Sequence, residues 1–166
     1  MGNAQPDLRQ CRRLDQVRLT MILELTVACL LNAAHDYFLP VDPLYSILQV
    51  EGGRSGLAKP NYDRHGHVLS EDLGPFQVNT TWLPVFTVYW RQPSQAATYV
   101  RLRDDGCANA YAAAAILRYY LQQTGTMDAA VARYHTGPKG SPAEAAKYLS
   151  AYKYVLHTGH LPRRPK

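Results

Sequence analysis

The sequence predicts one mostly helical domain carrying a small loop or hairpin between residues 54 and 74. Three observations lead there. Apolar residues recur at helical spacing along most of the chain, little of it alternates with period two, and cap and stop residues bracket the periodic stretches. At 166 residues the chain is long enough to bury a core without metal or dense disulfides, and no internal repeat or linker divides it. With 46% hydrophobic and 19% charged residues, the composition is that of a folded domain rather than a disordered chain.

Residues 1–18 are polar and basic without a sustained period and read as a loose extension. The first helix is expected over 19–38, from Leu19, Ile22, Leu23, Leu25, Cys29, Leu30 and Ala33. It should stop at Leu39, because the residue before Pro40 is pushed out of the α region. Asp42-Pro43 then reads as the N-cap and first residue of a second helix that carries Leu44 to Glu51. Residues 52–74 are rich in Gly, Pro, Asn, Asp, His and Ser, as a long ordered loop is, and loops of that length are usually functional. A short helix is expected from near Pro75 to near Pro84, and another over 94–103 with Ser94 as N-cap. Asn109 to Gln123 is an Ala-rich helix with Gly125 as its stop. Asp128 to Tyr134 reads as a short helix. Ser141-Pro142-Ala143-Glu144 is a capping box opening a last helix through about Leu156. The domain thus spans 19–156, and 157–166 form a basic tail.

The net charge of +5 suits an anionic partner: nucleic acid, a lipid surface or a carboxylate-bearing polymer such as the bacterial cell wall. Much of it lies in the flanks, at Arg9, Arg12, Arg13 and Arg18 and at Arg163, Arg164 and Lys166. No recognised motif or aromatic-basic stripe accompanies it, so specific nucleic-acid binding is not expected. Cys11, Cys29 and Cys107 allow one bridge with an odd thiol, or three free thiols. His65-Gly66-His67 and His157-Thr158-Gly159-His160 lack nearby cysteine or a helical His-Glu-x-x-His arrangement, so neither metal nor other cofactor is expected. Leu19 to Leu31 follows an Arg-rich start as a secretory signal would. Glu24 interrupts it and no small-x-small site follows, so neither a signal peptide nor a membrane span is expected.

One carboxylate stands out. Leu44, Ile47, Leu48 and Glu51 lie at i, i+3, i+4 and i+7, one face of a helix, so Glu51 sits where a core residue is expected. Partial desolvation and the negative end of the helix dipole both favour its protonated form, as a general acid requires. The plainer alternative is a last-turn Glu that rotates into water. Asp63, Glu71 and Asp72 are the nearest further acids, and none presents itself as a second catalytic carboxylate.

The order of the motifs resembles the lytic transglycosylases. The resemblance rests on Glu51, then Asp72-Leu73-Gly74-x-x-Gln77-Val78-Asn79 with Trp82, then Cys107-x-Asn109 opening the Ala-rich helix, then Tyr134-x-x-Gly137, then Tyr148. It runs from about Cys29 to Tyr152 and is nearest to the small enzymes of conjugation, of type III and type IV secretion and of pilus systems. It implies a lysozyme-like fold related to goose-type lysozyme, with Glu51 as the one catalytic acid. Gly74 and Gln77 inherit a substrate-binding role, Asn109 and Tyr134 positions near the catalytic centre, and Tyr148 an aromatic facing the acid or the sugar. Cys29 and Cys107 match a cysteine pair of the secretion-associated branch, which implies a disulfide. Two positions depart from the family: Gly52 replaces the usual Ser after the acid, and Gly74-Pro75-Phe76-Gln77 replaces Gly-Leu-Met-Gln.

The activity implied is cleavage of the MurNAc-GlcNAc β-1,4 bond of peptidoglycan with formation of 1,6-anhydro-MurNAc. The expected partners are glycan strands and components of a secretion or conjugation system, the expected compartment the periplasm or cell envelope, and the expected state a monomer. A lysozyme-like hydrolase of the same bond, and a catalytically weak wall-binding assembly module, are the alternatives. The residues alone leave plain roles open for the rest: core packing for Trp82 and the tyrosines, loop fixing for Asp72, and a structural donor in His135.

Overall fold

The computed structural model describes residues 22–161. Within them, helices α1 (Val27–Asp36), α2 (Val41–Glu51), α3 (Leu83–Tyr89), α4 (Gln95–Asp104), α5 (Gly106–Thr124), α6 (Met127–Thr136) and α7 (Pro142–Thr158) are joined by a small antiparallel sheet inserted between α2 and α3. The sheet runs in the order β1 (Ala58–Tyr62), β2 (Val68–Leu73), β3 (Val78–Asn79), and a 3-10 turn, Thr80–Trp82, leads from it into α3. The chain is therefore mostly helical with an α+β sheet insertion, and the expected hairpin lies at 58–73.

Ser94 and Ser141 cap their helices as expected, and Asp105 and Thr126, caps not expected from the sequence, do the same: each accepts a hydrogen bond from the backbone N–H three residues on, at 3.0–3.3 Å. Several boundaries differ from expectation, and α5 begins at Gly106, three residues ahead of Asn109. The first helix begins at Val27, not Leu19, because Thr26 caps it and Leu23 is already engaged elsewhere. The Leu23 N–H donates to Asp104 O (2.8 Å) and its carbonyl accepts from Gly106 N (2.7 Å), an isolated parallel bridge to the α4–α5 junction. The second helix starts at Val41, so Asp42 and Pro43 both stand in its first turn, where backbone N–H groups have no intrahelical partner and proline is tolerated. The same rule corrects Pro84. It opens α3 instead of ending a helix begun at Pro75, and residues 75–77 form the turn between β2 and β3.

The last helix continues to Thr158, and the Gly159 carbonyl accepts the Tyr45 hydroxyl at 3.0 Å. The domain thus reaches beyond Leu156, into what the sequence suggested was tail. The expected N-terminal extension, Cys11, and residues 162–166 lie outside the described residues.

Helix α5 is central. It packs against α1, α4 and α6, and α7 closes on α2 and α6. Ala110, Ala112, Ala113 and Ala114 are fully buried on it, and side chains this small let neighbouring helices approach closely. Leu44, Ile47, Phe76, Leu102, Leu117 and Tyr152 fill the core between the elements, each fully buried aliphatic contributing about 1.5–3 kcal/mol. Cys29 and Cys107 are joined in a disulfide that ties α1 to the first turn of α5, with Cα atoms 5.1 Å apart. It closes a loop across 78 residues of sequence. The double substitution Cys29→Ser with Cys107→Ser should cost about 2–4 kcal/mol in urea unfolding. The same loss should appear when the unaltered protein is reduced.

Candidate active site

Glu51 is the last residue of α2, and Gly52, in the left-handed region at φ 61°, closes the helix behind it. The neighbouring Gly53 backs directly onto the Gly74–Gln77 turn, where any side chain would collide with Gly74 O and the Gln77 amide. The end of the acid's helix and the turn between β2 and β3 are thereby in contact.

That turn is held from beneath by Asn109, which is fully buried. Its Nδ2 donates to Leu73 O (2.8 Å) and Leu102 O (2.9 Å), and its Oδ1 accepts from Phe76 N (2.8 Å). Gly74 sits against this amide at φ 69°, and a Cβ there would stand 2.6 Å from Asn109 Nδ2 and from Leu102 O. Asn109 and Gly74 therefore shape the site from within; neither lines the cavity. The side-chain groups of Asn109 are all bound to backbone, so it holds the turn beside the Glu51 helix end and does not itself face a ligand in the cavity.

Gln77 does line the cavity. Its own φ is 52°, and its Nε2 donates to Gly74 O (2.8 Å), which leaves the side-chain carbonyl as an acceptor. Tyr134, on α6, also lines it and donates its hydroxyl to Phe76 O (2.9 Å).

The carboxyl of Glu51, with its side chain 14% exposed, faces this cavity of about 480 Å³. Oε1 accepts the Tyr148 hydroxyl at 2.6 Å, joining the end of α2 to α7. The His135 ring lies flat on Tyr148, with centroids 4.1 Å apart and planes 11° apart, and its Nδ1 is 3.8 Å from the same Oε1. Tyr148 itself is buried, so His135 is what covers this pair toward the cavity. Oε1 is thus occupied, and Oε2 is the oxygen left to carry a proton to a ligand.

A second group of polar residues enters from the sheet. Lys59 and Asn61 on β1, Asp72 on β2 and Asn79 on β3 all line the cavity, brought to one face by the period of two and the β1–β2–β3 register. Asn61 Nδ2 donates to Asp72 Oδ2 (2.9 Å) and Asn79 Nδ2 to Asp72 Oδ1 (2.7 Å). Ser70 Oγ accepts from both amides, at 3.3 and 3.0 Å. Asp72 is therefore a fixed cavity carboxylate, which the sequence did not single out as a second acid. Its side chain bonds neighbouring amides and not the loop backbone. Trp82, half-buried, packs edge-on against Tyr119 and Tyr120 as the core role expected, and it also lines the cavity.

Lys59, Asn61, Asn79 and His135 are cavity residues that the sequence did not mark as site residues. Alternation of polar side chains at 59/61 and 70/72 is the signal that was present, masked by the loop-like composition around it. Among the described residues no three His, Cys, Asp or Glu side chains converge as metal ligands do. Comparison with protein-family models, with curated proteins and with solved structures finds no match to this chain.

Burial, and next the charge of Glu51, hold the Tyr134 and Tyr148 hydroxyls protonated well above the ordinary tyrosine range, and burial pushes Tyr152 up to about 12. In the unfolded chain such tyrosines ionise near pH 10. Their stabilisation is therefore complete below about pH 10 and is lost as pH rises through the folded values, at about 1.4 kcal/mol per pH unit for each. Urea unfolding at about pH 9, 10 and 11 should trace this fall, and Tyr148→Phe should shallow it. Separately, Asn109→Ala removes three buried hydrogen bonds, to Leu73 O, Leu102 O and Phe76 N, and should lower the unfolding free energy by about 3 kcal/mol.

Proposed function

We propose that this chain is a peptidoglycan lytic transglycosylase with a lysozyme-like fold, and that Glu51 is its acid and base. The observation that carries the reading is the poise of Glu51: a mostly buried carboxyl at a helix end, one oxygen held by Tyr148, the other free toward a cavity lined with amides, hydroxyls and Trp82. Amide and hydroxyl groups beside an aromatic ring are what a glycan of amide-bearing sugars needs for orientation. The order of motifs from Glu51 to Tyr148 supports the same family.

In this reading Glu51 protonates the oxygen leaving MurNAc C1 while the substrate's own N-acetyl group assists from behind. Glu51, now a carboxylate, then accepts the proton of the sugar 6-hydroxyl as that oxygen closes onto C1. The product is the 1,6-anhydro sugar, and no water is consumed. Tyr148 keeps Oε1 directed and leaves Oε2 for both proton transfers. Gln77 and Tyr134 offer acceptors to the sugar amide and hydroxyls. Gly52 supplies no hydroxyl where the family has Ser; Tyr148 and His135 are the groups that meet the carboxyl here.

Asp72 favours a second reading, hydrolysis of the same bond. A carboxylate fixed in the cavity by Asn61 and Asn79 can stabilise positive charge at the anomeric carbon while water attacks it. The peptidoglycan substrate lies outside the cytoplasm, and the Cys29–Cys107 disulfide suits an oxidising compartment, so the periplasm or cell envelope is the compartment of this proposal. Service to a secretion or conjugation apparatus rests on the motif resemblance.

Digestion of purified sacculi, with mass spectrometry of the released fragments, tests both readings. Anhydro-muropeptides are expected, with Glu51→Gln lowering their release by about 10²–10⁴-fold. Asp72→Asn separates the mechanisms: measurable anhydro product should survive it, whereas reducing-end products abolished by it would assign hydrolysis through Asp72. No release by the unaltered protein would leave a wall-binding module.

A further inference from the structure

The disulfide between Cys29 and Cys107 is built asymmetrically. Both sulfurs belong to the first turns of helices: Cys29 is the third residue of α1 and Cys107 the second of α5. Backbone N–H groups there have no intrahelical partners, and the positive end of the helix dipole favours a thiolate over a thiol. A bond between two such sulfurs is cleaved more readily by an external thiol, because the departing sulfur leaves as a thiolate.

Two contacts set the sulfurs apart. At Cys29, the Thr26 hydroxyl accepts the backbone N–H at 3.2 Å and donates to the sulfur at 3.0 Å, so negative charge arriving on that sulfur meets a donor already in place. At Cys107 the corresponding cap is Asp105, a carboxylate, whose Oδ1 accepts from Ala108 N at 3.0 Å and which has no hydrogen to donate. Access runs the other way. Cys107 lines a cavity of about 410 Å³ walled by Tyr37, Tyr89, Trp90 and Tyr111, and Cys29 does not. The sulfur that can be reached and the sulfur that can leave are thus different ones.

We propose that the Cys29–Cys107 bond is a site of thiol–disulfide exchange with a dithiol, and that it gates the candidate active site. One thiolate of the dithiol attacks Cys107 Sγ from the cavity. A new S–S bond forms, the bond to Cys29 breaks, and its electron pair leaves on Cys29 as a thiolate held by Thr26. The second thiolate of the dithiol then attacks the dithiol's own sulfur in the mixed disulfide, and Cys107 departs as a thiolate. The dithiol ends oxidised to its disulfide, and the chain is reduced by two electrons. The gate follows from position. Cys107 stands two residues before Asn109, the amide that holds the Gly74–Gln77 turn beneath the cavity of Glu51. With the bond cut, α1 no longer pins that first turn of α5. The gate rests on the glycan-cleaving reading above; the exchange chemistry does not.

The exchange is tested by brief treatment with β-mercaptoethanol, acid quenching and peptide mapping by mass spectrometry, with Cys11 counted apart. The adduct is expected on Cys107 with Cys29 free; an adduct on Cys29 overturns the proposal. Reduction by dithiothreitol should be about three- to tenfold slower in Thr26→Asp, which still caps α1 but offers the sulfur no donor, and unchanged in Thr26→Ser. A purely structural role for Thr26 gives the opposite sign, because loosening α1 speeds reduction; an equal or faster rate in Thr26→Asp overturns the proposal. For the gate, reduced protein should keep its helical circular dichroism while release from sacculi falls about tenfold and returns on reoxidation. Unchanged release, or helix lost together with release, overturns the gate. Should the oxidised protein release nothing from sacculi, the reading of the reaction fails, and the adduct and the reduction rates decide the exchange by themselves.

Discussion

The arrangement of the site depends on the buried amide of Asn109. In a dry interior each backbone group without a partner is expensive, and three meet beside α5: the Leu73 carbonyl at the end of β2, the Phe76 N–H in the turn after it, and the Leu102 carbonyl near the end of α4. One asparagine satisfies all three. The position of the turn follows, and with it the three contacts built on the turn: Gly53 from the end of α2, the Gln77 side chain, and the Tyr134 hydroxyl. Gly74 leaves the room that the amide occupies.

Upon that base, two carboxyl groups are held by different means. Glu51 is fixed by its place at a helix end and by one hydroxyl from α7, so one oxygen is engaged and the other remains free. Asp72 is fixed by two amides from neighbouring strands, with both oxygens engaged. The asymmetry suits different work: a group with a free oxygen can exchange a proton, whereas a group engaged at both oxygens acts through its charge. Tyr134 lies within the influence of both charges, which ties the two carboxyls to one cavity. His135 and Tyr148 add a stacked pair whose cost of ordering is met by burial of the tyrosine under the imidazole.

Much of this was legible along the chain. Ser94 and Ser141 act locally, each bonding a backbone N–H three residues away, and such short-range chemistry survives in any tertiary setting. The i, i+3, i+4, i+7 face that placed Glu51 beside Leu44 and Ile47 is local too. The proline misreading at Pro84 was also local: proline ends one helix and opens another by the same missing N–H, and only the course of the chain before it distinguishes the two. Leu19 to Leu25 carried a helical pattern, yet Leu23 pairs with backbone at 104–106, a partner about eighty residues away that no window on the sequence contains.

The sequence by itself determined the mostly helical fold, the helix-end acid, the turn glycines and the order of residues from Glu51 to Tyr148, because each follows from spacing and backbone chemistry within a few residues. Only the tertiary structure decided which of those residues face the cavity. It placed Asn109 beneath the site and Gln77 within it. It gathered Asn61, Asp72 and Asn79 on one sheet face and brought Tyr148 to the carboxyl from 97 residues away. The reason is physical: a side chain's role depends on what packing leaves unpartnered around it, and that is set by contacts between elements distant in sequence.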